Sequence, residues 1–279
     1  MSDPLLSVKN LTISFNVEGR RIPAVNDVSF DVAPGEIVGL VGESGSGKSV
    51  SAMSIMRLIP MPPGEVESGE ITFEGKDLLN MPIEDLKEIR GKDIAVIFQE
   101  PMTALSPLHP VGDQLAEVVR IHDPEISKME AWKIAVDWLD KVGIPDPEER
   151  AKAYPFQFSG GMRQRAMIAM ALILQPKLII ADEPTTALDV TLQAQVIDLL
   201  MELKDRLGLS YLFISHDLSV VKRICDRTVV MRNGKVAEAG FTKDVVNNPQ
   251  SAYTQSLIEA VPIPGDTQKR AKAQAVGRG

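Results

Sequence analysis

The chain has 279 residues, with 38 Asp and Glu against 30 Lys and Arg and a formal charge of -8, so it lacks the basic surface that nucleic-acid backbones require. Its single cysteine, Cys225, excludes an internal disulfide framework and a cysteine-built metal cluster, and reads as a buried small hydrophobe. No apolar run approaches the ~20 residues of a membrane helix, and Met1-Ser-Asp-Pro lacks the features of a signal peptide. The expectation is a soluble cytosolic chain of one large or two small domains, reaching any membrane through a partner.

Leu5 to Val17 alternates in the β manner and reaches Phe15 before a turn at Glu18-Gly19. Phe15 is a candidate for stacking on an adenine ring or for filling a sheet face. Ala24 to Val32 is a second β-like run leading to the turn at Pro34-Gly35. The apolar segment Glu36–Val41 then reads as a buried strand, and Val50–Ile59 as a helix stopped by Pro60, Pro62 and Pro63. Between them stands Gly42-Glu-Ser-Gly-Ser-Gly-Lys-Ser49, in the strand–loop–helix context of a phosphate loop.

The chemistry requires those residue types at that spacing. Glycines let the backbone wrap closely round a phosphate with its N–H groups inward. The helix start adds the positive end of its dipole. Lys48 reaches the β- and γ-phosphates, and the Ser49 hydroxyl is placed for Mg²⁺. A plain glycine-rich turn would explain the glycines but not Lys-Ser.

Further on, Gly69–Gly75 reads as a short strand, Ile83–Ile89 as a charged helix opened by Pro82, and Asp93–Phe98 as a strand ending at Gln99. Val111 to Met170 is helical in pattern, broken by loops at Asp123-Pro124 and Ile144–Pro147. Lys177–Ala181 is the continuous apolar run of a central parallel strand. Asp189 can cap a helix running to Leu207, with Gly208 as its stop. Leu209–Ile214 is another strand, and Arg227–Ala237 a hairpin whose Asn233-Gly234 fits a type I′ turn. Pro264 to Gly279 reads as a disordered basic tail.

Asp182 ends its apolar strand where an acidic residue can hold Mg²⁺, and Glu183 can take a proton from a water attacking the γ-phosphate. The bland alternative for adjacent Asp and Glu is a solvated turn. His216 and Gln99 stand at other strand ends, the edge where open parallel sheets bind ligands. Ser159-Gly160-Gly161 opens an apolar helix with a second start suited to phosphate. His109 and His122 carry no assigned role.

In that order the phosphate loop, Gln99, Ser-Gly-Gly, Asp182-Glu183, Ala187-Leu188-Asp189 and His216 resemble the ATP-binding subunit of an ABC transporter. The strings Gly42–Ser51, Phe98–Leu105, Ser159–Arg165 and Ala181–Asp189, with Ala252–Pro262, are similar to the branch importing dipeptides, oligopeptides and nickel. The resemblance implies an α/β fold: a phosphate-loop NTPase core with a mostly parallel sheet, an N-terminal antiparallel β subdomain and a helical signature subdomain. It implies ATP and Mg²⁺ as cofactors, with Phe15 on the adenine and Gly42, Glu43, Ser44, Gly45, Ser46, Gly47, Lys48, Ser49 and Val50 round the phosphates. Asp182, Ser49 and Gln99 would serve the metal, Glu183 would be the catalytic base, His216 the switch histidine and Lys48 a catalytic cation. Ser159 to Gly161 would contact ATP on a second ATPase subunit in a head-to-tail homo- or heterodimer.

Met162 departs from the glutamine usual in the broad family, and no C-terminal cysteine cluster is present. The expected domains are residues 1–250 for ATP binding (helical part about 100–165), 251–263 as a short helical extension, and 264–279 as the tail. The expected place is the cytoplasmic side of the inner membrane, beside two permease subunits and an extracytoplasmic solute-binding protein. A soluble ABC-type ATPase acting on nucleic acid or ribosomes is the first alternative, and a phosphate-loop kinase or GTPase the second.

Overall fold

In the computed structural model, which describes residues 3–100, 104–186 and 189–260, the apolar runs become strands and the phosphate-loop context is realised. In chain order the elements are β1 (Leu6–Val17), β2 (Arg20–Val32), β3 (Ile37–Val41), α1 (Lys48–Ile55), β4 (Gly64–Phe73), β5 (Lys76–Asp77), α2 (Ile83–Ile89) and β6 (Ile94–Ile97). A helical block follows: α3 (Val111–His122), α4 (Lys128–Lys141), α5 (Pro147–Ala151), a 3₁₀ turn (Pro155–Gln157) and α6 (Gly160–Leu172). The chain then alternates through β7 (Leu178–Asp182), α7 (Val190–Leu207), β8 (Ser210–Ser215), α8 (Leu218–Ile224), β9 (Arg227–Arg232) and β10 (Lys235–Phe241), and finishes with α9 (Thr242–Asn247) and α10 (Ala252–Glu259). Among the described residues no helix is long and apolar enough to cross a membrane.

The strands form two sheets, an antiparallel one in the order β2-β1-β4-β5 and a six-stranded one in the order β10-β9-β3-β8-β7-β6. In the larger sheet β9, β3, β8, β7 and β6 run parallel, and β10 closes one edge antiparallel to β9. Residues on β3, β7 and β8 alternate between two cores. Ile37, Val41, Ile179, Tyr211 and Phe213 pack toward the helical block, while Val38, Leu40, Ile180, Leu212 and Ile214 pack toward the antiparallel sheet. A strand covered on both faces must be apolar throughout, which is why these segments show no period-two pattern.

Several boundaries differ from the sequence expectation, among them β10, which runs on to Phe241 past Ala237. Helix α1 ends at Ile55, short of the prolines, because Arg57 adopts a left-handed φ of 50°. Leu58 N–H donates to Met53 O at 3.0 Å and Arg57 N–H to Ser54 O at 3.0 Å, a Schellman-type stop made without glycine. Strand β4 begins at Gly64 rather than Gly69 and passes through an irregularity opposite Lys9–Thr12. Gly69 permits this, since at its φ of 113° a Cβ would lie 2.6 Å from Leu11 Cα. Strand β2 starts at Arg20, directly after the turn. The hairpin β9–β10 turns at Asn233 and Gly234, both at positive φ (50° and 76°), as a type I′ turn requires.

In the helical block Ser127 and Glu130 form a reciprocal capping box at the start of α4. Ser159 caps α6, accepting from Met162 N–H at 3.3 Å. Residues 101–103, 187–188 and 261–279, including Ala187, Leu188 and the expected tail from Pro264, lie outside the described residues.

Candidate functional site

The ends of β3, β7 and β8 meet at one edge of the larger sheet, and the loop from Gly42 to Gly47 crosses it into α1. Backbone geometry demands the glycines here. At Gly42 (φ 150°) a Cβ would stand 2.2 Å from Met231 O, and at Gly47 (φ 99°) 2.6 Å from Ala24 O. The far side of the loop is therefore pressed against β9 and β2, and its other side stays open. Ser46 Oγ is buried without a protein partner, an orphaned polar atom inside a loop built to face a ligand.

A cleft of about 520 Å³ lies over the loop, lined by Glu43 to Val50 together with Gln99, Glu183 and His216. Lys48 is buried at its base and donates to the carbonyls of Gly42 (2.8 Å) and Glu43 (2.9 Å). Burial lowers its pKa, opposed by the carboxylates of Glu183 and Asp182. Two of the three ammonium donors serve the loop, leaving one for an incoming phosphate. Ser49 Oγ donates to Asp182 Oδ1 at 3.0 Å. Burial raises the pKa of Asp182, the Ser49 hydrogen bond opposes that, and the nearby charge of Glu183 adds to it. A hydroxyl and a half-buried carboxylate oxygen at one point form a hard-oxygen donor set that fits Mg²⁺.

Glu183 stands next to Asp182 but faces elsewhere. Its φ of 46° turns the chain off the strand, and its N–H donates to Ile214 O at 3.0 Å. Its Oε2 accepts from Thr186 Oγ1 (2.7 Å) and Gln99 Nε2 (3.3 Å), and lies 3.1 Å from His216 Nδ1. Gln99 and His216 from two other strand ends, with Thr186 from the same loop, thus converge on one carboxylate oxygen.

Two residues of this arrangement carry no role in the sequence reading. Thr186 lies in the Asp-Glu-Pro-Thr-Thr string, which gave only a family signal. Gln164, buried on α6, donates from Nε2 to Pro184 O at 2.6 Å and ties that helix to the loop bearing Glu183. A glutamine in an otherwise apolar helix face was the available signal.

Phe15 and Ser159–Gly161 do not line the cleft. Phe15 pairs with Ile22 and Gly64 in the antiparallel sheet and packs half-buried on that sheet's core. Ser159 caps α6, Gly160 has open space where a Cβ would stand, and Gly161 faces Leu192 so closely that a Cβ would lie 2.7 Å from its Cδ1. His109 bonds Ser106 Oγ at 3.1 Å within its own loop. Cys225 is buried beside Gly39.

A glycine loop with Lys-Ser at a helix start, facing two carboxylates at a parallel strand's end, defines a phosphate-loop nucleotide-binding domain. Residues 25–186 match the family model described as ABC transporter, and the chain belongs to that family.

The relatives agree. The peptidoglycan transport ATP-binding protein YejF of Agrobacterium fabrum is 52% identical over 94% of this chain, which spans only 48% of that protein's length. The oligopeptide transport ATP-binding protein OppD of Bacillus subtilis is 50% identical over 92% of the chain and 72% of its own length. The dipeptide transport ATP-binding protein DppD of the same organism is 51% identical, over 93% and 77%. Among solved structures, a dimeric post-hydrolysis state of the ATP-binding cassette MJ0796 bound to ADP and Pi superposes with a TM-score of 0.74 at 27% identity, covering 85% of this chain and 98% of that one. The fold expected from sequence, that of an ABC ATPase, is the fold found.

Proposed function

We propose that this chain binds ATP in the cleft over Gly42–Ser49 and hydrolyses it to power import of peptides or a related small solute through separate membrane permease subunits. The observation that carries this reading is the convergence in one cleft of Lys48, the Ser49–Asp182 pair and a triply partnered Glu183. ATP would lie with its phosphates in the loop, held by inward N–H groups and the remaining Lys48 donor. Ser49 and Asp182, with Gln99 at the rim, would hold Mg²⁺, which when bound offsets phosphate charge. Glu183 takes a proton from water as the water oxygen attacks the γ-phosphorus. The bond from that phosphorus to the bridging oxygen breaks, and ADP leaves with phosphate as the second product. His216 and Gln99 orient the carboxylate and the water between them.

Ser159–Gly161 is not among the residues lining the cleft over this chain's own loop, and we assign it to ATP held by a second ATPase subunit in a head-to-tail dimer. Two relatives are named for oligopeptide and dipeptide transport and the MJ0796 cassette is dimeric, which supports both parts of the reading. The working place is then the cytoplasmic face of the inner membrane, with an extracytoplasmic binding protein delivering solute. Phe15 is proposed to meet the adenine.

Glu183→Gln tests the core of this reading. General-base catalysis contributes about 10²–10⁴ in rate, so phosphate release should fall within that range while ATP binding is kept or tightened. A variant that hydrolyses normally, or loses binding along with turnover, overturns the assignment. Peptide uptake by cells carrying Glu183→Gln as their sole copy should also stop.

A further inference from the structure

The final helix, α10, stands outside both sheets, yet it is tied to the loop that receives phosphate. Glu238 on β10 fixes its start, accepting from Gln250 N–H at 2.9 Å and Ser251 N–H at 3.0 Å. This seats Tyr253 in the helical-side core, only 6% exposed. The Arg232 guanidinium, at the end of β9, sits 4.6 Å from the Tyr253 ring centroid and fixes the ring's plane. The hydroxyl at the ring's tip accepts from Glu43 N–H at 3.2 Å.

Glu43 is held through both of its backbone groups. Its carbonyl accepts from Ser46 N–H (3.2 Å) and from Lys48 Nζ (2.9 Å), both within the loop. The Tyr253 bond comes from outside it. Without the hydroxyl, Glu43 is left with the Ser46 N–H and the Lys48 ammonium, and the ammonium is the group a bound phosphate draws on. Glu183 lies across the cleft at the end of β7 and shares no partner with Tyr253.

We propose that Tyr253 is a positioning residue for nucleotide binding: its hydroxyl, through Glu43, holds the phosphate loop in its receiving shape, so that docking of α10 sets ATP affinity. This rests on the reading of Gly42–Ser49 as the phosphate site of ATP. The loss on removal is one hydrogen bond in a preorganised loop, and it falls on binding rather than on chemistry.

The test uses the full chain with Mg²⁺–ATP, measuring Kd by equilibrium dialysis, KM and kcat by phosphate release, and Tm by calorimetry. Tyr253→Phe keeps the ring and its Arg232 contact. It should raise Kd and KM about threefold to tenfold with kcat and Tm unchanged. Glu238→Ala, which frees the start of α10, should raise Kd in the same range and add little to Tyr253→Phe in the double variant. A wild-type Kd in Tyr253→Phe, alongside lost binding in Lys48→Ala, overturns the role of Tyr253 and leaves the phosphate site standing. A parallel fall of kcat, affinity and Tm marks ordinary packing and also overturns it. Normal ATP binding by Lys48→Ala removes the phosphate-site reading, and this inference with it.

Discussion

Asp182 and Glu183 are adjacent in the chain but answer to different surroundings. Asp182 is the last residue of β7, meets the Ser49 hydroxyl and has its ionised form disfavoured by burial. Its folded-state pKa is raised, so its charge opposes folding above that pKa, and the opposition disappears as pH falls through it. Asp182→Asn removes the charge and keeps an acceptor for Ser49. With EDTA present and no nucleotide, the variant should melt higher at neutral pH, while Mg²⁺-dependent ATP binding weakens. A lower melting point would show that the carboxylate stabilises the ligand-free fold. Thr186 acts on the neighbour, since its hydroxyl gives Glu183 the shortest of that carboxylate's hydrogen bonds. Thr186→Val should slow phosphate release about threefold to tenfold with little change in ATP affinity, because the proposed base, Glu183, is kept and only its orientation is loosened.

At the scale of elements, close approaches decide which substitutions the site tolerates. Gly47 caps α1 at φ 99° with a backbone oxygen in the place of its Cβ, whereas Gly161 on α6 meets only the tip of Leu192. Gly47→Ala should therefore lower the urea midpoint well beyond Gly161→Ala, since the left-handed conformation alone costs about 1–3 kcal/mol and a side-chain tip can shift. Equal midpoints would mean that the loop relaxes freely. Gln164→Leu, which leaves the Pro184 carbonyl without its donor, should cost about 1–3 kcal/mol in the same assay. These elements were unequally legible in the sequence. The strands of the larger sheet and the glycine loop declare themselves, because burial on two faces and tight wrapping leave few residue choices. The stop of α1 at Arg57 did not, because it uses a left-handed residue other than glycine. The Gln164–Pro184 and Tyr253–Glu43 bonds join residues 20 and 210 positions apart, and no local pattern encodes such pairings. Phe15 was readable as an aromatic at a strand end, but its contacts here are with its own sheet.

For the whole molecule, the proposed dimer makes a complementation prediction. Mixing Ser159→Arg with Lys48→Ala subunits leaves one composite site with both its loop and its opposing helix start intact, provided that homodimers form. Mixed preparations should recover a fraction of wild-type phosphate release that neither variant shows alone, and full activity in a strictly monomeric preparation would contradict the arrangement. A different consequence follows from strands that serve two cores at once. β8 lies between β3 and β7, is buried at every position, and sends alternate side chains into both layers. Neither layer can come apart without stripping one face of β8, so the two should unfold as a single cooperative unit. His216 follows directly on the end of that strand, which puts one wall of the cleft on the segment expected to open last. In native-state hydrogen exchange the amides of β8 should be among the slowest in the chain, released only by global unfolding, while those near Gly45 exchange early. The cleft would then join a wall on slowly opening backbone to a loop whose base is held against β9 and β2 and whose exposed tip at Gly45 opens sooner.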